Sequence, residues 1–369
     1  MTMALATQAP PFCPNPACLF HLRDRQSWRL EKIGFFERQS PPYRVQRYRC
    51  LSCRRSFSDQ TFRTTYWMRK AGLLADVLGR LHSCSGFRQM ARELHVSPTS
   101  VAVAVARLGR HCLLLHEQLR PKGPIREELT ADGFESFEWS QYYPSNYHVA
   151  VGKESHFFYG FTATELRRKG RMTDAQRKTR AKLEAKLGRP DPKGTEKDFA
   201  RLLSIVAAKS PRLILHTDEH QAYPRALRRL PHLAIEHKTI SSRAARTPQN
   251  PLFPVNLLDL LIRHSGSHHK RETIAFSKRL QGGCERMAIF AVWRNWMKPF
   301  SERDRKAEKE SPAMRLGLTE RLWRVEDVLA QRLFPSRVAL PEPWATYYWR
   351  RVPTRALPRW REHRRRYAV

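Results

Sequence analysis

Two aspartates stand where carboxylates could hold a divalent cation. Residues 213–223 read LILHTDEHQAY, an apolar, β-branched run that ends on Thr217 and Asp218. Residues 127–137 read EELTADGFESF, a strand-like segment that runs into Asp132. Taken alone, Asp218 is equally a helix N-cap, because Asp is favoured where a strand hands over to a helix. Two carboxylates brought together repel one another unless a cation or a shared proton compensates. Hard oxygen ligands suit Mg²⁺ or Mn²⁺. A metal pair about 4 Å apart can activate an attacking hydroxyl and stabilise the departing oxygen in phosphodiester displacement.

A second chemistry lies near the N-terminus. Cys13-Pro-Asn-Pro-Ala-Cys18 and Cys50-Leu-Ser-Cys53 are two close pairs separated by a loop. Each short turn can aim two thiolates at one tetrahedral Zn²⁺; four unrelated structural cysteines are the alternative. With four protein ligands no position remains for substrate, so such a zinc is structural. Around the second pair, RVQRYRCLSCRRSFSD predicts a strand–turn–strand ribbon whose arginines could contact phosphates. His21 reads as solvated rather than as a substitute ligand. Cys84, Cys112 and Cys284 read as small buried apolar residues.

Composition narrows the partner. Lys and Arg outnumber Asp and Glu by 68 to 34 in 369 residues, a formal net charge of +34. That balance implies a polyanion, with nucleic acid ahead of an anionic membrane surface. No apolar run approaches the ~20 residues that span a bilayer, so no membrane partner is expected. MTMALATQAPPF lacks the basic-then-apolar order of a secretory signal. A cytoplasmic, nucleoid-associated protein is expected, where thiols stay reduced and paired cysteines mean metal more often than disulfide.

These side chains need elements to place them. GFRQMARELHVSPTSVAVAVARLGRH, from Gly86, sets Phe87, Met90, Ala91 and Leu94 on one helical face, with His95-Val96-Ser97 as a short turn. Ser97 caps a second helix with Pro98 at its favoured first position. Val101, Val105 and Leu108 then face inward, which leaves Thr99, Ser100 and Arg107 for a DNA groove, as in a helix-turn-helix. An ordinary αα-hairpin shares the pattern. The alternation VAVAVA also suits a strand, but the cap and flanking register favour helix.

After RPKGPIRE the texture changes. EELTADGFESF, NYHVAVG (146–152) and HFFYGFTAT (156–164) are strand-like, the last two parted by KES, a hairpin signal. A charged stretch from Glu165 to about Ala200 reads as exposed helix and loop, broken at RPDPKG. RLLSIVAAKS is helical, LILHTD a fourth strand, YPRAL a helix and LAIEHKTI a fifth strand. This is the order of a ribonuclease-H-like fold, in which the first and fourth strands lie side by side. Asp132 and Asp218 would then meet.

The cysteine ribbon, the helix-turn-helix and the segments TADGFESF, LILHTDEHQAY and NPLFPVNLLDLLIRHSGSHHKRETIAFSKR together resemble bacterial insertion-sequence transposases of the DDE class. The resemblance covers roughly the first three hundred residues. It implies three acidic ligands for two metals, nicking of element ends by water, and attack on target DNA by the freed 3′-hydroxyl. It matches Asp132 to the first-strand aspartate and Asp218 to the second, in its TD-x-x-x-AY setting. It also implies double-stranded DNA as partner, both element ends and target, and a homo-oligomer on that DNA.

The resemblance places the third acid on a helix after the last strand. In PVNLLDLLIRH, Asn256, Asp259 and Arg263 share one helical face. Asn256 stands where a glutamate is expected, with Asp259 one turn on, and an uncharged amide oxygen binds a hard cation more weakly. Asn256 with Asp259 ranks first, Glu285 in GCERMAIF second, and Glu272 in KRETIAFSKR is a further rival. The non-catalytic reading of Asp259 is a solvated pair with Arg263.

Around that helix His268, His269, Lys270, Arg271, Lys278 and Arg279 suit a strand-guiding surface; Lys270 and Arg271 join Thr99, Ser100 and Arg107 as DNA-binding candidates. His216 and His220 flank Asp218, where they could tune a leaving group or hold metal, although His220 reads as a surface histidine. The C-terminal WATYYWRRVPTRALPRWREHRRRYAV mixes arginines with Trp344, Tyr347, Tyr348, Trp349, Trp360 and Tyr367. It reads as a nucleic-acid contact or else as a solubilising tail. Trp293, Trp296 and Met297 have core-like spacing.

The expected organisation is multidomain: a small zinc ribbon (1–62), an all-α helix-turn-helix domain (63–122), an α/β ribonuclease-H-like catalytic domain (123–300, with a charged helical insertion at about 165–200) and a basic aromatic extension (301–369). The expected function is a DNA transposase using Mg²⁺ or Mn²⁺. The alternatives are a catalytically inactive DNA-binding regulator derived from such an enzyme, and a nuclease that hydrolyses without joining.

Overall fold

The computed structural model describes residues 10–23, 25–270, 273–302, 309–357, 359 and 362–364. Arg271, Glu272, Trp360 and Tyr367 lie outside the described residues. The chain forms a multidomain α/β structure with a three-stranded and a five-stranded sheet.

Strands β1 (Leu30–Glu37), β2 (Arg44–Cys50) and β3 (Ser56–Ser58) pair antiparallel. Phe57 stacks between Trp28 and Tyr48, and with the cysteines these rings make a small core of their own. Helices α1 (Leu73–Leu81), α2 (Phe87–Glu93) and α3 (Pro98–Leu119) follow. Ser97 Oγ accepts the Ser100 N–H at 3.1 Å. That cap, with Pro98 behind it, makes VAVAVA helical despite its alternation.

The larger sheet holds β4 (Leu129–Phe137), β5 (Pro144–Gly152), β6 (Phe158–Glu165), β7 (Leu213–Thr217) and β8 (Ile235–Thr239) in the order β6-β5-β4-β7-β8. The first three strands pair antiparallel, whereas β7 lies parallel to β4 and to β8. Helices α4 (Asp174–Leu187) and α5 (Gly194–Val206) separate β6 from β7, and α6 (Ala222–Leu227) separates β7 from β8. Helix α4, in the charged stretch, buries no residue, whereas α5 packs on β5 and β6.

Helices α7 (Phe253–Ser265) and α8 (Leu280–Val292) come next, and a π-helical turn, Trp293–Met297, extends α8. Helix α7 packs on β4 and β5, so β5 is buried along almost all its length. The chain closes with α9 (Pro312–Arg315), α10 (Val325–Ala330) and α11 (Trp344–Tyr348). Trp296, 1% exposed, is core, as its spacing predicts.

One apolar cluster runs from α1 through α3, the larger sheet and α8 to α11, and this corrects two expectations. Helix α3 is buried continuously from Ala104 to Glu117, because α1, α2, α8 and α11 all pack on it. Arg107 therefore turns inward, donating to Thr64 O at 2.9 Å and Tyr66 O at 2.7 Å, and is not presented to a groove. In the C-terminal stretch Trp344, Tyr347 and Tyr348 are core residues rather than stacking platforms. Trp344 Nε1 donates to Phe161 O at 2.8 Å, and Tyr347 Oη accepts the Ala163 N–H at 2.9 Å.

Candidate functional site

Strand pairing explains how distant carboxylates are brought together. Strands β4 and β7 pair Leu129 with Leu215 and Thr130 with His216. Asp132 stands two residues beyond Thr130 on β4, and Asp218 two beyond His216, just past the end of β7. Neighbouring strands lie about 4.8 Å apart, which is close enough for the two charges to repel. Asp218 is not the cap of α6, a position taken by Gln221. Its Oδ1 instead accepts the His220 N–H at 2.9 Å, an Asx turn that breaks the strand.

Asp132 is half-buried. Burial pushes its carboxyl above the usual range, Asp218 pushes it further, and the Gly133 N–H, the Tyr223 hydroxyl and Arg246 pull it back. The Gly133 N–H at 2.6 Å and the Tyr223 O–H at 3.0 Å both donate to Oδ1. Asp259 reaches the same place from α7. Burial, then repulsion from Asp132, raise its carboxyl to about 8 against the pull of Arg263 and Arg246. Its Oδ1 is buried without a hydrogen-bond partner. Arg263 closes no ion pair on it; the guanidinium lies 4.3 Å over the Phe134 ring and donates to His269 O. Asn256 is half-buried one turn earlier on α7.

Tyr223 joins the acids. Burial and the charges of Asp132, Asp218 and Asp259 together push its hydroxyl well above the normal range. The three carboxylates do not draw within 4.8 Å of one another as a set; among the described residues the four cysteines are the group that does.

Other sequence candidates fall elsewhere. Glu285 sits where α8 meets α3, bound by Arg350 at 2.8 Å and Gln281 at 3.1 Å. His216 is buried, with Nε2 2.7 Å from Glu128 Oε2, and faces this acid instead of the aspartates. His220 is exposed, as expected. His268 and His269 are buried and held well below their ordinary pKa, first by burial and then by Arg286. They are neutral core groups, not a basic surface. Lys270 and Thr99 are exposed, and Ser100 is half-exposed with its hydroxyl 2.9 Å from Ser97 Oγ. Tyr223 closes the TD-x-x-x-AY pattern, which by itself assigns it no role. Arg246 stands in a polar loop with no pattern to single it out.

The cysteine knuckles converge. Cys13 Sγ lies 3.6 Å from Cys53 Sγ, and Cys18 Sγ 3.9 Å from Cys50 Sγ. Tetrahedral Zn–S bonds of about 2.3 Å place the sulfurs about 3.8 Å apart, so the four thiols fit a zinc ion. Burial raises Cys50, but the Cys53 and Ser52 N–H groups and the Trp28 indole outweigh it and bring the thiol to about 7. The Trp28 Nε1–H donates to Cys50 Sγ at 3.2 Å. His21 is buried rather than solvated, with Nδ1 2.7 Å from Cys13 O and Nε2 2.8 Å from Ser336 Oγ. It fastens the ribbon to the C-terminal segment.

No family model and no curated protein matches the chain. Among solved structures, it is similar to a chain of the simian T-cell lymphotropic virus intasome in complex with PP2A regulatory subunit B56 gamma. The identity is 17%, over 68% of this chain and 74% of that one, with a TM-score of 0.27.

Proposed function

We propose that the chain is a DNA transposase that cuts and joins DNA through Asp132, Asp218 and Asp259. The reading also takes the larger sheet as ribonuclease-H-like, which the order β6-β5-β4-β7-β8 supports. The observation that carries it is the placement of three aspartates, Asp132 on β4, Asp218 just past the end of the paired β7 and Asp259 on α7, which packs on β4, in a protein of net charge +34. The donor set fits a hard divalent cation. Asp259 Oδ1 is buried and orphaned, and both hydrogen bonds to Asp132 fall on Oδ1.

Asp132, Asp218 and Asp259 would hold Mg²⁺ or Mn²⁺, with Asn256 a turn away. When bound, such an ion activates an attacking oxygen and stabilises developing phosphoryl charge. The protein's own groups orient the acids: Gly133 and Tyr223 fix the rotamer of Asp132, and the His220 N–H fixes that of Asp218. Thr99, Ser100 and Lys270 remain candidates for DNA contact.

The test uses DNA from either side of the coding region, where the reading expects inverted repeats that mark the element ends. Asp132→Asn, Asp218→Asn and Asp259→Asn should each lower Mg²⁺-dependent cleavage by about a hundredfold or more and leave end binding intact. Unchanged cleavage by Asp132→Asn and Asp218→Asn would reject the assignment. A non-catalytic DNA-binding regulator is the second reading, favoured by the spacing of the carboxylates and by Asn256. End binding without nicking in Mn²⁺ would support it. Strand transfer from a pre-cut end separates a transposase from a simple nuclease.

A further inference from the structure

The surface of the N-terminal ribbon carries a groove that the catalytic reading does not use. It lies between β1–β3 and residues 66–69 and encloses about 700 Å³, within the range of about 300–1,000 Å³ typical of ligand sites. Arg38, Arg47 and Arg69 line it and no carboxylate does, so its charge selects an anion. Phe36 and Trp67 add ring faces, 38% and 71% exposed. Trp67 has φ 63°, the left-handed region that a bulky residue occupies at a cost. A strained, exposed indole beside arginines is the arrangement that stacks a base while cations hold its phosphate.

A separate observation concerns Gln60, which also lines the groove. It is 4% exposed, and both its amide nitrogen and its amide oxygen are buried without a hydrogen-bond partner. Such a group is unfavourable until a ligand offers an acceptor and a donor side by side. Adenine does so at N7 and N6, the pairing that Gln makes when it reads DNA.

We infer that this groove is a base-reading site for unpaired DNA, with Trp67 stacking the base, Gln60 recognising adenine and Arg38, Arg47 and Arg69 holding phosphate. The inference deepens the DNA-binding part of the proposed function and needs none of the aspartates.

The test measures binding of labelled oligo(dA), oligo(dT) and oligo(dC) by the full, zinc-loaded chain in Mg²⁺-free buffer at fixed salt. Oligo(dA) should bind tightest. Trp67→Ala should weaken all three by about 5- to 150-fold, and Trp67→Tyr, which keeps a ring, should restore most of that loss. Gln60→Met should abolish the preference for oligo(dA) while the melting temperature holds or rises, since an unsatisfied amide is removed. Arg47→Ala should weaken the three equally and flatten the salt dependence. Equal binding of the three oligonucleotides by the parent, or parent-like affinity in Trp67→Ala, overturns the inference; a groove built for a protein partner would give that result. Loss of cleavage in the aspartate variants leaves these affinities unchanged, so the two readings fail separately.

Discussion

At the scale of single residues, the site is a set of charges whose repulsion is managed by a few neighbours. Tyr223 is the chief of these, because its hydroxyl donates to Asp132 and stabilises the charged form. Its removal should raise the Asp132 carboxyl, so that more alkaline solution is needed to ionise it. Tyr223→Phe is therefore expected to slow cleavage at neutral pH about two- to tenfold, the worth of one hydrogen bond, and to move the pH–rate profile upward. An unchanged profile would show that Tyr223 is packing alone. Asp132 and Asp218 were legible in the sequence because each stood in or at the end of a strand-like run. Asp259 was legible because helical spacing put it on one face with Asn256 and Arg263. Tyr223 and Arg246 were not, since their importance arises from the carboxylates they meet across the fold.

At the scale of elements, close approach decides the architecture. Helix α3 meets α8 at Gly109, where a Cβ would lie 2.6 Å from Glu285 Cβ and 2.7 Å from its Cα. Gly109→Ala should therefore lower stability by about 1–3 kcal/mol through overpacking, read as a fall in melting temperature. Gly79, on the exposed side of α1 with nothing within 4 Å of a built Cβ, is the control. There Gly79→Ala should be neutral or stabilising by up to about 1 kcal/mol, from helix propensity alone. A common response of the two variants would contradict the packing account. The Ser97 cap and the succession of strands along the chain were readable because capping and alternation are local. The depth of α3 and the burial of Trp344 and Tyr348 were not readable. Which segments cover an amphipathic face is settled by α8 and α11, far along the chain, and composition alone made the C-terminal aromatics look exposed.

At the scale of the whole molecule, a strongly basic chain hides several neutral histidines. Burial holds His82 and His148 at about 3 and His111, His116 and His156 at about 4. The unfolded chain protonates these groups near 6.5, so below that pH it binds more protons than the folded state. Their contribution to stability is present above about 6.5 and is lost as pH falls toward about 4. The melting temperature should thus be several degrees lower at pH 5 than at pH 7.5, and an equal or higher value at pH 5 would contradict this. The central claim, that three aspartates share a divalent ion, is tested most directly by diffraction from crystals soaked in Mn²⁺. An anomalous peak between Asp132, Asp218 and Asp259, absent in Asp132→Asn, is the predicted result. Manganese bound elsewhere, with the three carboxylates left apart, would contradict it.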